Sequence, residues 1–138
     1  MTFDGQCLCG NVRYRVTGQA RGPCFCHCES CRRAAGAPFV AWATFDRERF
    51  EVVQGELAEI ASSEHVSRGF CKDCGTSLTY FNEVRPGDVD VTLASFDAPG
   101  AVAPEAHIWL EDKLPWIQID DGLPQYDRFR TAATGSPP

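Results

Sequence analysis

The chain has 138 residues, 43% hydrophobic and 23% charged, the balance of an ordinary soluble globular domain. Its formal net charge of −6 speaks against a nucleic-acid or anionic-membrane partner, since either needs a basic face. No apolar run approaches the roughly 18 residues of a membrane span, and Met1 to Cys7 carries no basic or apolar leader pattern, so a reducing, cytoplasmic setting is expected.

Taken in order, Gln6 to Val16 alternates: Val12, Tyr14 and Val16 fall on one face, Arg13 and Arg15 on the other. That period of two predicts a strand with one wet side. Gly18 to Pro23 reads as a loop, Phe25 to Cys28 as a short extended run, and Glu29 to Ala35 as a single helical turn ending at Gly36. Phe39 to Phe45 and Phe50 to Val53 are apolar and β-rich, and the charged Asp46 to Arg49 between them predicts a hairpin connection. Leu57, Ile60, Val66 and Phe70 suggest two further strands, followed by one at Ser77 to Phe81. Pro86-Gly87-Asp88 signals a turn before Val89 to Leu93, and Ala98-Pro99-Gly100 a break before His107 to Leu110. Many short strands with no sustained helical period predict a mainly β fold with short helical turns. Residues 1–130 are expected to form one domain and 131–138, with nothing to bury, a disordered tail.

Eight cysteines carry the chemistry, and four of them crowd into positions 24 to 31. In a reducing compartment such clusters bind metal more often than they form disulfides. Cys71-X-X-Cys74-Gly75 is a zinc-knuckle pattern in which the glycine takes a positive φ at no steric cost. Cys7-X-Cys9-Gly10 supplies two more sulfurs on one side of an extended segment. Together they make a four-thiolate site that ties the first strand to the middle of the chain across 61 intervening residues. Cys26, Cys28 and Cys31 come from one short piece of chain and can share a second ion. Cys24 continues the alternation but in a straight strand would lie about 13 Å from Cys28, so it joins only if the strand bends sharply.

Three protein ligands leave one corner of a zinc open, the mark of a catalytic site. Three thiolates on Zn²⁺ leave a net charge of −1 and a weak Lewis acid, which favours holding an incoming thiol as its thiolate over activating water. His27 alternates away from these sulfurs, which leaves it either a hydrogen-bonded core histidine or a proton-transfer group. Arg32 and Arg33 follow the last ligand and are candidates for a substrate carboxylate, or are solvated helix charges. Residues 1–36 hold five arginines against two acids, so a small anionic ligand is compatible with this part of the chain.

The blocks Gly5-X-Cys7-X-Cys9-Gly10, Cys26-His27-Cys28-X-X-Cys31-Arg32 and Cys71-X-X-Cys74-Gly75-Thr76 resemble the GFA family. So do His107-Ile108-Trp109, Pro115-Trp116 and Leu123-Pro124-Gln125-Tyr126. The family is named for the glutathione-dependent formaldehyde-activating enzyme and shares its domain with centromere protein V. The resemblance implies a β-tent, or Mss4-like, fold stabilised by zinc. It implies a structural zinc on Cys7, Cys9, Cys71 and Cys74 and a catalytic one on Cys26, Cys28 and Cys31. It also implies a carbon–sulfur lyase reaction joining glutathione and formaldehyde into S-(hydroxymethyl)glutathione. Cys24 departs from that pattern, and a fold shared this widely does not carry its substrate with it.

Two functions therefore stand side by side. In one, a zinc-held thiolate adds to a small aldehyde, with His27 as the proton donor and Tyr126 and Trp116 as candidates for the cleft wall. In the other, the same scaffold is a zinc-stabilised module that binds glutathione or a protein without turnover, the reading that a fourth ligand at Cys24 favours. A disulfide-rich secreted domain is the third and weakest reading.

Overall fold

The structure, a computed structural model, describes residues 1–130 and is mainly β. The tail expected at 131–138 lies outside the described residues. Among the described residues the strands are β1 (Thr2–Gln6), β2 (Arg13–Thr17), β3 (Arg21–Cys26), β4 (Val40–Asp46), β5 (Phe50–Gln54), β6 (Ala58–Ser63), β7 (Val66–Phe70), β8 (Ser77–Asn82), β9 (Asp88–Thr92) and β10 (His107–Ile108), with one α-helix, α1 (Glu29–Ala35), and short 3₁₀ turns. They form a seven-stranded sheet in the order β10-β3-β4-β9-β8-β7-β6 and a three-stranded sheet, β1-β2-β5. β10 runs parallel to β3, and the other neighbours are antiparallel. Among the described residues, no helix is long and apolar enough to cross a membrane.

Two local expectations are corrected. Asp46 to Arg49 does not close a hairpin: a 3₁₀ turn at Arg47–Arg49 carries the chain out of the large sheet into the small one. β4 pairs with β3 and β9, whereas β5 pairs with β2. The physical reason is Phe50, whose ring stacks on that of Tyr14 at 5.3 Å and is half-buried there only if β5 lies beside β2. The stretch from Gln6 to Val16 is likewise not one strand. The chain turns at Cys7 to Gly10 and re-enters as β2, with Gln6 opposite Arg13. β1 precedes that turn and was not foreseen.

β4 shows how the site and the core share one sheet. Side chains alternate across a strand, and here both faces are covered. Ala43 and Phe45 face the small sheet, in a core with Phe3, Tyr14, Val16, Val91 and Phe96. Val40 and Trp42 face the other way, with Cys24, Cys26, Cys31 and Ile108. Cys24, Cys26 and Cys31 therefore lie on the side of the large sheet turned away from the main core, whereas Cys7 and Cys71 belong to that core.

Candidate metal centres and active-site cavity

The four-sulfur cluster is built from two matching turns. Gly10 N–H donates to the Cys7 carbonyl at 3.2 Å and Gly75 N–H to the Cys71 carbonyl at 2.7 Å. Both glycines sit at φ 79°, a left-handed conformation costly for any residue with a Cβ. This corrects the extended geometry expected at Cys7 and Cys9, because the turn itself brings the sulfurs together. All four ligand atoms lie within 4.8 Å of one another, with Cys7 and Cys9 Sγ 3.6 Å apart and Cys9 and Cys71 Sγ 3.8 Å apart. Sulfurs sharing a tetrahedral zinc with bonds near 2.3 Å lie about 3.8 Å apart, so the donor set fits such an ion. The Val12 amide donates to Cys7 Sγ at 3.3 Å, and Thr76 Oγ1 lies 3.2 Å from Cys74 Sγ. That hydroxyl contact, with amide hydrogen bonds, holds the Cys74 thiol down at about 5, in the thiolate form a metal requires.

The second cluster forms where β3 runs out. β3 ends at Cys26, and the His27 amide still donates to the Ile108 carbonyl at 3.0 Å, so β10 holds the chain as it turns. Cys28 then becomes the N-cap of α1 in extended conformation, and its Sγ accepts from the Cys31 amide at 3.3 Å. A sulfur takes the place of the usual capping oxygen, so one side chain both starts the helix and faces the cluster. The sulfurs of Cys26, Cys28 and Cys31 lie within 4.8 Å of one another, close enough to share one ion. Hydrogen bonds from Cys26 and Cys31 hold the Cys28 thiol down at about 2, against the cost of burial, while Cys26 is raised by those it makes to Cys28 and Cys31. Cys24 stands outside the group. β3 pairs regularly from Cys24 to Cys26, with Cys24 opposite Trp42 and Cys26 opposite Val40, and burial pushes the Cys24 thiol up to about 12.

The three sulfurs open onto a cavity of about 340 Å³ whose walls include Trp42, Arg68, Tyr80, Ile108, Trp109 and Phe129. Arg68 reaches in from β7 with Nη1 and Nη2 at 3.8 and 3.9 Å from Cys31 Sγ. Asp90 on β9 also lines it, receiving hydrogen bonds from Thr44 Oγ1 at 2.5 Å and Arg85 at 2.9 Å, and burial raises its carboxyl. Trp109 holds a left-handed φ of 60°, unusual for a bulky residue. Reading the chain alone missed Arg68, Tyr80 and Asp90, which sit in strands with no motif around them. The His107-Ile108-Trp109 block was the one signal that pointed to this wall.

Other expected site residues lie elsewhere. His27 is fully buried and absent from the described cavity lining. Its Nε2 meets His107 Nδ1 at 2.9 Å, and His107 Nε2 meets Asp121 Oδ2 at 2.6 Å. With Asp121 ionised, His107 donates from Nε2 and accepts at Nδ1, so His27 donates to it. Burial lowers His27 to about 4. Arg32 is half-buried with Nε unpartnered, and Arg33 is exposed and pairs with Glu29 at 2.9 Å. Neither is among the described lining residues. Trp116 is exposed and Tyr126 packs against the three-cysteine cluster.

A mainly β protein with two cysteine clusters able to hold metal is the class defined by fold and site. The sequence profile of the glutathione-dependent formaldehyde-activating enzyme family, GFA, matches residues 2–112, and the chain belongs to that family. It is 30% identical over 114 residues to an uncharacterized lyase of Schizosaccharomyces pombe, covering 80% of each chain. It is 29% identical over 131 residues to a Halomonas elongata protein provisionally named a glutathione-dependent formaldehyde-activating enzyme, covering 87% of this chain and 82% of the relative. The crystal structure of a Rhodobacter sphaeroides protein superposes with a TM-score of 0.57 at 21% identity, covering 89% of this chain and 98% of the other, a likeness of fold.

Proposed function

We propose that the protein is a zinc-dependent carbon–sulfur lyase that adds a thiol, glutathione in the first instance, to a small aldehyde such as formaldehyde. The observation that carries this reading is that three sulfurs, and not four, converge at the wall of the cavity, so that an ion held by them would have a position left for a ligand that is not a protein sulfur. Cys26, Cys28 and Cys31 would hold the catalytic zinc, and Cys7, Cys9, Cys71 and Cys74 the structural one. Zinc on three thiolates supplies a soft site that takes a thiol as its thiolate. The names carried by the yeast and Halomonas relatives support the lyase class and the thiol.

In the reaction, the glutathione sulfur adds to the carbonyl carbon, the C=O electron pair moves to oxygen, and the proton the thiol gave up is returned to that oxygen. The product keeps every atom of both reactants. Aromatic walls at Trp42, Trp109 and Phe129 exclude water, and the Tyr80 hydroxyl, whose pKa burial raises, is a proton donor facing the same space. His27, buried beside His107, serves as the anchor of the Cys26–Cys28 turn in this reading. The same proposal takes residues 1–130 as one β-tent domain and the cytoplasm as its setting.

Turnover is tested by exchange-detected formation of S-(hydroxymethyl)glutathione, with the uncatalysed rate subtracted, for wild type and Cys31→Ser. Wild type should exceed the variant by about 100-fold or more. Equal rates would leave a glutathione-binding module in place of an enzyme.

A further inference from the structure

We propose that Arg68 is the counter-cation of the three-sulfur centre, a positioning residue that acts through Cys31 to keep a divalent ion bound there. This rests on the reading that the three sulfurs carry a metal. Arg68 stands on β7 opposite Tyr80 of β8, 37 residues from Cys31 in the chain. It is 9% exposed, a degree of burial that is costly for a guanidinium unless an anion meets it. Its Nε donates to Ser62 Oγ at 3.3 Å, and among the described residues no carboxylate is paired with it. Asp90, the acid on the same cavity wall, is already taken by Arg85 and Thr44. What Arg68 does meet is Cys31 Sγ, straddled by both terminal nitrogens, while its guanidinium carbon lies 5.0 Å from the centre of the Tyr80 ring. A neutral thiol would leave that charge uncompensated, whereas a thiolate answers it.

Charge counting gives the arrangement its purpose. Three thiolates around a divalent ion sum to −1, and adding Arg68 brings the buried unit to zero, where the cost of keeping it out of water is least. The four-sulfur cluster is the contrast. With a divalent ion it would sum to −2; Cys7 and Cys71 are buried, but Cys9 is exposed and Cys74 half-buried, so solvent can screen it from that side. In the three-sulfur centre Cys28 is half-buried but Cys26 and Cys31 are each only 5% exposed, and the cation that meets this buried side is Arg68, on Cys31. Arginine suits the role because its planar fork offers two donors to one sulfur while its face stacks on an aromatic ring.

The test is zinc affinity measured by chelator competition in wild type, Arg68→Met and Arg68→Lys, with the four-sulfur site as an internal control. Arg68→Met should weaken the ion at the three-sulfur centre about tenfold or more, as loss of a charged hydrogen-bonding partner does, and leave the other site within about twofold. Arg68→Lys, which keeps the charge but loses the fork, should recover part of that loss and bind more tightly than the methionine variant. With cobalt(II) in place of zinc, the sulfur-to-metal charge-transfer band should shift in the methionine variant and not in the lysine one. If Arg68→Met does not fold, Arg68→Gln makes the same comparison. A neutral variant that holds the ion as tightly as wild type, or a lysine variant no better than the neutral one, overturns the role of Arg68. Wild type that takes up a single ion overturns the metal reading beneath it.

Discussion

Cys28 and His27 are neighbours in the chain and serve opposite sides of the same turn. Cys28 sends its sulfur to the cluster and caps α1 through the Cys31 amide. His27 sends its ring into the interior, 4.9 Å from the Phe39 ring and hydrogen-bonded to His107. With burial holding it at about 4, His27 is neutral near pH 7 and has no proton to spare beyond the one given to His107. Its contribution then comes through the backbone it anchors, as with groups that orient metal ligands without touching the metal. His27→Gln should lower zinc affinity at the three-sulfur centre by about tenfold and leave turnover per bound ion nearly unchanged. Metal titration run beside turnover separates the roles, because full occupancy with turnover down about 100-fold would assign His27 to proton transfer.

Among the elements, the two glycine-closed turns isolate backbone conformation from packing. A Cβ built at Gly75 meets nothing within 4 Å, whereas one at Gly5 would fall 2.2 Å from the Tyr14 hydroxyl oxygen. Gly75→Ala therefore tests φ alone. It should cost about 1–2 kcal/mol through the left-handed conformation and weaken the four-sulfur ion, seen as a lower urea midpoint and earlier loss to chelator. The turn at Cys71 to Gly75 was legible in the chain because ligand spacing and the glycine after the second cysteine follow from local geometry, whereas Cys7 to Gly10 read as extended because two cysteines one residue apart also share a face of a strand. The grouping of seven cysteines into two clusters was legible from their spacing, as was β2 from its strict alternation. Partner choice between strands was not. Asp46 to Arg49 looks like a hairpin loop because charged residues between two apolar runs are blind to which sheet each run joins. Arg68 escaped notice for a related reason: in Val66-Ser67-Arg68-Gly69-Phe70 alternation puts it on the face of Val66 and Phe70, and nothing local reveals that this face of the sheet closes a cavity.

Across the whole molecule, the large sheet keeps stability on one face and the site on the other, and β4 carries both. Phe45 is fully buried, its ring 5.6 Å from Phe3 and 6.2 Å from Phe96, at the junction between the two sheets. Trp42, three residues back on the same strand, lines the cavity and meets Tyr80 edge-on at 6.1 Å. Truncating Phe45 to alanine removes a ring from a closed core and should cost about 3–5 kcal/mol. Trp42→Phe keeps an aromatic wall while widening the cavity, so its stability cost should be under about 1.5 kcal/mol. The kinetic effects should reverse. In Phe45→Ala, measured well below its unfolding transition, KM for the thiol should stay within about twofold of wild type, because the Phe45 ring lies in the main core on the face of β4 away from the cavity. In Trp42→Phe it should rise by about tenfold, since the lost ring area faced the ligand directly. Urea unfolding and steady-state kinetics on the two variants decide the matter, and a KM change of equal size in both would mean that core and cavity are mechanically coupled through β4.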